Sequence, residues 1–192
     1  MSSTESNASK VLDLDLEGVG RCNLAKSGQT TEGLPGFMFT AAGVNHPDSG
    51  RTDIHPAVID VAKRRHGNDI AGWPVQRIEP EMVDKNTIVL MLCSPDLVPD
   101  FVLSQAKDVF LFPIADPFGV DIEQKLEVTT SQIAWMNWLL SLVLTTRSDE
   151  VGNSRDERGW IIPRYLVQFE PKNIEPEYSY DGWMSTAFPL GR

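Results

Sequence analysis

An unbroken apolar run at residues 88–92, Ile-Val-Leu-Met-Leu, constrains the fold of this chain more than any other feature. A strand of this composition needs cover on both faces, which is typical of a parallel strand between two layers of helices. Segments that read as strands alternate along the chain with segments that read as helices. The predicted strands are 11–16, 37–41, 87–92 and 109–114, and the predicted helices are 56–65, 99–106 and 123–145. The sequence therefore predicts an α/β fold with a doubly wound, mostly parallel four-stranded sheet flanked by helices.

Composition excludes several functional classes. The chain has 192 residues, a net charge of −10 and 41% hydrophobic residues, enough for one ordinary core. Nucleic-acid partners are not expected because their binding proteins cluster Lys and Arg. The longest apolar stretch, 135–144, is interrupted by polar residues and is too short to span a bilayer. Two cysteines form no disulfide framework, and no Cys or His spacing suits a metal. We expect no cofactor, no metal and a cytoplasmic location.

Three regions are predicted from the distribution of residue types. Residues 1–10 are Ser-rich and polar, and are expected to form a disordered lead. Residues 11–146 are expected to form the α/β domain. Residues 147–192 form an aromatic-rich extension with little helical period, which would pack on the domain or on a protein partner.

The first strand and the segment after it have unusual composition. Residues 11–16 alternate apolar and polar side chains, which predicts a strand with one wet face. Asp13 and Asp15 lie on that face, so the strand is expected either near a sheet edge or beside a polar site. Residues 17–36 are punctuated by glycines and are predicted to be a loop with at most a short helix.

Several short motifs in one order carry a family resemblance. They are Thr40-Ala41-Ala42-Gly43, His55-Pro56-Ala57-Val58, the stretch 66–72, the stretch 77–83, the apolar run 88–92 and Asp116-Pro117. In this order and spacing the chain resembles the low-molecular-weight phosphotyrosine phosphatases and the related thioredoxin-coupled arsenate reductases. The resemblance implies a phosphatase-like sheet with an oxyanion site at the carboxyl end of its first strand.

The resemblance also implies a loop with a nucleophilic cysteine and, further along, an asparagine and an Arg-Ser pair. The best alignment places Gly20 at the cysteine, Asn23 at the asparagine and Lys26-Ser27 at the Arg-Ser pair. In this register the nucleophile is absent, and a lysine point charge replaces the planar fork of arginine. Gly20, Asn23, Lys26 and Ser27 are the candidate anion-binding residues.

Two residues are candidates for surviving catalysis. Cys22 lies two positions after Gly20 and is a tentative replacement nucleophile, although no cation stands where its clamp would be needed. Asp116 matches the general acid of the phosphatases by its Asp-Pro context; an ordinary turn-initiating aspartate explains the same pattern. Cys93 ends the strand at 87–92 and is expected to be a buried thiol.

Two functional hypotheses follow. In the first, the protein lacks the phosphatase activity of the family and binds a phosphate-like anion, a small-molecule ligand or, through its C-terminal extension, a protein. In the second, the same cleft has repurposed chemistry. Such an enzyme would be a phosphomonoester hydrolase that uses Cys22, or would use Asp116 and the first-strand aspartates for acid–base catalysis.

Overall fold

The computed structural model describes residues 9–33, 36–45, 51–112, 114, 116–145, 154–155 and 161–162. Its strands are β1 (Ser9–Asp15), β2 (Phe37–Gly43), β3 (Thr87–Met91), β4 (Asp108–Leu111), β5 (Ser154–Arg155) and β6 (Ile161–Ile162). Its α-helices are α1 (Arg21–Glu32), α2 (Pro56–His66), α3 (Asp100–Gln105) and α4 (Ile122–Thr145). Short 3-10 turns lie at Pro80–Met82 and Pro95–Leu97.

The sheet has the order β2-β1-β3-β4-β6-β5, and β1 to β4 are all parallel. Every residue of β3 is buried, as the apolar run at 88–92 predicted. The fold predicted from the sequence, a parallel sheet flanked by helices, is confirmed. Beyond β4, β6 adds a parallel neighbour and β5 an antiparallel one.

The prediction for β1 was wrong in one respect. The strand lies in the middle of the sheet between β2 and β3, and Val11 to Asp15 are all buried. It has no wet face. Asp13 and Asp15 instead face polar groups of α1 and of the loop before it, which is the second of the two arrangements that the sequence left open.

The prediction of a loop over 17–36 was also wrong, because α1 occupies twelve of these residues. Asn23, Gly28, Thr30 and Thr31 give this helix a low intrinsic propensity. Burial supplies the missing stability, since Cys22, Leu24 and Ala25 are fully buried in the core. The helix ends at Gly33, whose left-handed backbone (φ 65°) closes its last turn.

Helix α2 carries its boundaries in its sequence. The imidazole Nδ1 of His55 accepts a hydrogen bond from the Ala57 N–H (3.2 Å) and caps the helix, and Pro56 occupies its first position. Basic residues fill its last turn, where the helix dipole favours positive charge.

Two apolar clusters cover the two faces of the sheet. The larger one joins the sheet to α1, α2 and α4, and the smaller one joins it to α3 and to the segment around Ile78 and Val83. No helix in the described ranges combines the length and the apolar character that crossing a membrane requires. Residues 1–8 of the predicted disordered lead and most of the predicted C-terminal extension lie outside the described residues. Ser9 and Lys10, predicted as the end of the lead, instead begin β1.

Candidate functional site

The loop between β1 and α1 is built around the carboxylate of Asp15. Oδ1 of Asp15 accepts a hydrogen bond from the Gly18 N–H (2.5 Å), and Oδ2 accepts one from the Cys22 N–H (3.1 Å). Asn23, in the first turn of α1, also stabilises this loop, because its Nδ2 donates a hydrogen bond to the Gly18 carbonyl (2.7 Å). Backbone N–H groups at the end of a parallel strand and the start of a helix form an oxyanion cradle. Here a carboxylate of the chain itself takes two of these donors.

A close backbone crossing fixes the path of this loop. Gly18 has φ 73°, and a β-carbon on it would lie 2.9 Å from the Gly43 nitrogen. A β-carbon on Gly43 would lie 2.3 Å from the carbonyl carbon of Glu17. The loop therefore rests directly on the end of β2, with no room for a side chain on either glycine.

Arg21 is the first residue of α1 and is almost fully buried, 7% exposed. Its Nη1 donates to the carbonyl of Leu92 (3.0 Å) and to that of Ile114 (2.5 Å). These carbonyls follow β3 and β4, so the guanidinium joins the ends of two parallel strands to the start of α1. Arg21 stands six residues after Asp15, the same separation as that between Gly20 and Lys26 in the predicted register.

A cavity of about 520 Å³ opens beside this loop, at the carboxyl end of the sheet. The charged residues that line it are Asp15, Glu17, Asp116, Arg21 and Arg51. A volume of this size suits a small-molecule ligand. A second cavity of about 540 Å³ lies between α2 and α4, away from the strand ends, and includes the exposed ion pair of Arg64 with Glu127.

Aromatic side chains form one wall of the first cavity. The rings of His55 and Phe118 lie 4.8 Å apart between centroids, and Phe118 also covers Gly20. Asp116 holds this wall in place, because its Oδ1 accepts a hydrogen bond from the Phe118 N–H (3.1 Å). Burial and the neighbouring Arg51 lower the pKa of His55, so the imidazole is neutral at physiological pH.

Asp116 and Asp15, both considered for acid–base chemistry, line this cavity, whereas Gly20, Cys22, Asn23, Lys26 and Ser27 are not among its lining residues. Gly20 precedes α1, and its carbonyl accepts the Leu24 N–H (3.1 Å). The Lys26 ammonium lies 4.2 Å above the ring of Trp73. Ser27 is fully buried, where its Oγ lies 3.0 Å from His66 Nδ1. The structure does not gather these residues around one ligand space.

Neither cysteine has the surroundings of a nucleophile. Cys22 is fully buried, and its pKa is raised well above the ordinary value by burial and by the nearby Asp15. Cys93 is also buried, which raises its pKa to about 12. Both thiols are free, as expected for Cys93. A thiol that stays protonated in an apolar interior is inert.

Sequence reasoning missed Asp15 and Arg21 as members of one loop. The available signal was an aspartate at a strand end with an arginine six residues later. The predicted register was anchored on the cysteine that the family resemblance implies, and this aspartate does not match it. No cluster of His, Cys, Asp and Glu with the geometry of a metal site occurs in the described part of the chain.

Comparisons with known proteins agree with this architecture. The YwlE arginine phosphatase from Geobacillus stearothermophilus superposes with a TM-score of 0.61 at 22% identity, covering 73% of this chain and 96% of that one. An arsenate reductase from Archaeoglobus fulgidus gives a TM-score of 0.54 at 16% identity, over 68% and 98%. Wzb of Vibrio vulnificus, in complex with benzylphosphonate, gives 0.56 at 16% identity, over 70% and 97%.

No protein-family model matches the sequence. Among curated proteins, a 121-residue segment is 26% identical to the non-reducing polyketide synthase terA of Aspergillus terreus. This segment is 62% of the present chain and only 6% of that much longer protein. The structural matches, in contrast, span nearly the whole of their partners. The chain therefore has the fold of the low-molecular-weight tyrosine phosphatases and the arsenate reductases.

Proposed function

We propose that this protein is a divergent, catalytically silent form of the phosphatase fold that works by binding a small-molecule ligand in the cavity beside the β1–α1 loop. One observation carries the proposal: the Asp15 carboxylate accepts hydrogen bonds from the N–H groups of Gly18 and Cys22. A negative side chain that occupies an oxyanion cradle repels a phosphoryl group from it. Asp15 also stands six residues before Arg21, where the spacing of the resembled family requires its cysteine.

The state of Arg21 supports the same conclusion. Both hydrogen bonds that its guanidinium forms with described residues go to backbone carbonyls. An arginine that clamps a transferred phosphoryl group must aim its fork at the equatorial oxygens of that group. Here the guanidinium holds the strands together, which is a structural task. The adjoining cavity keeps polar and aromatic walls, and these suit ligand binding without turnover.

The alternative chemistry through Cys22 has little support from the geometry. Its sulfur is fully buried, and the nearby carboxylate of Asp15 opposes formation of a thiolate. Acid–base chemistry through Asp116 keeps one supporting observation, since Asp116 and Asp15 line the same cavity. The free, buried thiols also fit a reducing compartment such as the cytoplasm. A protein partner at the C-terminal extension remains a proposal from the sequence.

Hydrolysis of an aryl phosphate tests the proposal, measured with the wild type, Asp15→Asn and Cys22→Ser. We expect no turnover above background from any of the three proteins. Turnover that disappears in Cys22→Ser would establish the thiol enzyme instead. Turnover that disappears in Asp15→Asn would establish a carboxylate nucleophile, and either result would overturn the proposal.

Thermal unfolding with inorganic phosphate tests the occupied cradle. Phosphate is expected to leave the unfolding midpoint of the wild type unchanged and to raise that of Asp15→Gly, in which the loop N–H groups are free. A ligand at one hundred times its Kd stabilises by about 2.7 kcal/mol, which is readily measured. Equal stabilisation of the two proteins would show that Asp15 does not occupy the anion position. Asp116→Asn is the matched control, because it removes a carboxylate from the cavity and leaves the loop intact.

A further inference from the structure

Asp13 is a fully buried carboxyl group with an unpartnered oxygen. It lies at the centre of the sheet, in register with Ala41 of β2 on one side and Leu90 of β3 on the other. Its Oδ1 accepts a hydrogen bond from Gln29 Nε2 (2.9 Å). Its Oδ2 has no hydrogen-bond partner among the described residues. Buried polar atoms without partners are rare and costly in native proteins.

A second unpartnered oxygen belongs to the same group of side chains. Gln29 Nε2 also donates to Asn137 Oδ1 (3.1 Å), and Asn137 Nδ2 donates to the Ala25 carbonyl (3.3 Å). Gln29 Oε1 has no partner within the described part of the chain. Asp13, Gln29 and Asn137, here called the Asp13 network, thus connect β1, α1 and α4 through buried hydrogen bonds.

The charged groups around Asp13 do not neutralise it. On α1, the nearby cation is Lys26, whose ammonium lies over the ring of Trp73 and forms no ion pair within 4 Å with a described carboxylate. Cys22, also on α1, and Asp15, on β1 itself, are the other titratable groups that act on it. From α4 the facing group is the uncharged Asn137. His66 of α2 also lies close to Gly28, as Asn137 does.

Burial is the largest influence on Asp13 and raises its pKa well above the ordinary value. The hydrogen bond from Gln29 and the charge of Lys26 oppose this shift, and Asp15 adds to it. Lys26 is itself half-buried, and burial lowers its pKa. An isolated carboxylate in such surroundings takes up a proton rather than remain charged.

We propose that Asp13 is a protonated carboxylic acid in the folded protein, and that loss of this proton as the pH rises is a switch that loosens α1 from β1 and α4. A proton on Oδ2 changes an unpartnered acceptor into a donor. Gln29 Oε1 is an acceptor without a donor in the same network, so one proton satisfies both atoms, directly or across one water molecule. Ionisation leaves both oxygens unpaired again and adds a buried charge beside Asp15.

The dependence of stability on pH follows from this arrangement. A carboxyl group whose pKa is raised by folding contributes stability that is complete below its unfolded pKa and is lost as the pH rises toward its folded value. The folding equilibrium of the wild type is expected to weaken by as much as about tenfold per pH unit across that window, relative to Asp13→Asn. The asparagine is neutral at every pH, and its N–H₂ group can donate to Gln29 Oε1.

The experiment measures urea unfolding from acid to mildly alkaline pH for the wild type, Asp13→Asn and the control Asp84→Asn. Asp84 is an exposed acid whose pKa is lowered by Lys10. Its removal should therefore leave unchanged the loss of stability that accompanies rising pH in the wild type. Hydrogen exchange should show faster opening of α1 and α4 in the wild type than in Asp13→Asn at alkaline pH. Parallel pH profiles for the wild type and Asp13→Asn would overturn the proposal.

A direct measurement guards against a variant that fails to fold. The ¹³C shift of the Asp13 carboxyl carbon in the wild type reports its protonation, and a protonated shift at neutral pH is expected. An ionised shift at neutral pH would overturn the proposal whatever the variants show. The proposal does not depend on the ligand of the cavity, so failed phosphate or hydrolysis experiments would leave it unaffected.

Discussion

A single side chain decides what the β1–α1 loop can accept. Asp15 accepts two backbone N–H groups that an oxyanion would otherwise use, and its charge also discourages a thiolate at Cys22. In the function proposed above, one residue therefore removes two features that a phosphatase needs, an open cradle and a reactive sulfur. The carboxylate fits between the N–H groups of Gly18 and Cys22.

Gly28 shows how tightly α1 and α4 meet. A β-carbon at this position would lie 2.7 Å from Asn137 Nδ2, which is held by its hydrogen bond to the Ala25 carbonyl. We predict that Gly28→Ala lowers the free energy of unfolding by about 1–3 kcal/mol, despite the better helix propensity of alanine. Urea unfolding measures the change.

Gly72→Ala is the control for this substitution. A β-carbon at Gly72 has no heavy atom within 4 Å, so the free energy of unfolding should change by less than about 0.5 kcal/mol. Equal effects of the two substitutions would contradict the close contact at Gly28.

The site was harder to predict from residues than the fold. Asp116 was selected by its Asp-Pro context, and it lines the cavity. Lys26 and Ser27 were selected by a register that ignored which face of α1 they occupy, and they point to Trp73 and to His66. The sequence pointed to Asp15 only through the polar positions of β1, and to Arg21 not at all, because both side chains act on backbone atoms, which sequence letters do not display.

At the scale of elements, Arg21 connects parts of the sheet that are distant in the chain. It begins α1, and its guanidinium reaches the carbonyls that follow β3 and β4. Parallel strands leave such carbonyls at one edge of the sheet, where they need donors. The start of α1 supplies one, so the helix and the strand ends hold each other in place.

Removal of this connection should be costly. We predict that Arg21→Ala lowers the free energy of unfolding by about 3 kcal/mol, because two buried carbonyls lose their charged donor. Arg64→Ala is the matched control: its ion pair with Glu127 is exposed, and such pairs contribute at most about 1 kcal/mol. Chemical denaturation of both variants checks the difference, and equal losses would contradict the structural role of Arg21.

Elements with their own sequence signals were predicted well. Helix α2 has His55, Pro56 and Gly67 at its ends, and β3 is an unbroken apolar run. Helix α1 has a comparable signal only at its end, Gly33; its N-cap Gly20 makes no side-chain hydrogen bond, and Gly28 interrupts its middle. Packing against α4 and the sheet stabilises it, and a single sequence does not reveal that packing.

At the scale of the whole molecule, the described helices cover the two faces of the sheet unequally. Three of them, α1, α2 and α4, lie on one face, whereas the other carries α3, a helix of six residues in which only Val102 is buried. Regions with few buried apolar contacts open at low free energy. The face that carries α3 should therefore be the more dynamic one.

Hydrogen exchange measured by mass spectrometry checks this expectation. We predict that amides of β1 and β3 exchange most slowly, because both strands have paired neighbours on each side and buried residues on each face. Amides of α3 should exchange much sooner than those of α1. Slower exchange in α3 than in α1 would contradict the unequal covering of the sheet.

The contact between Gly18 and Gly43 fixes the path of the β1–α1 loop, whichever side chains the loop presents to the cavity. A side chain on either glycine would displace the backbone segment that carries the other glycine. Position 15 meets no such steric limit, since it already carries a side chain. The path of the loop and the chemical group that it presents to the cavity are therefore set by different residues, so one can change while the other is kept.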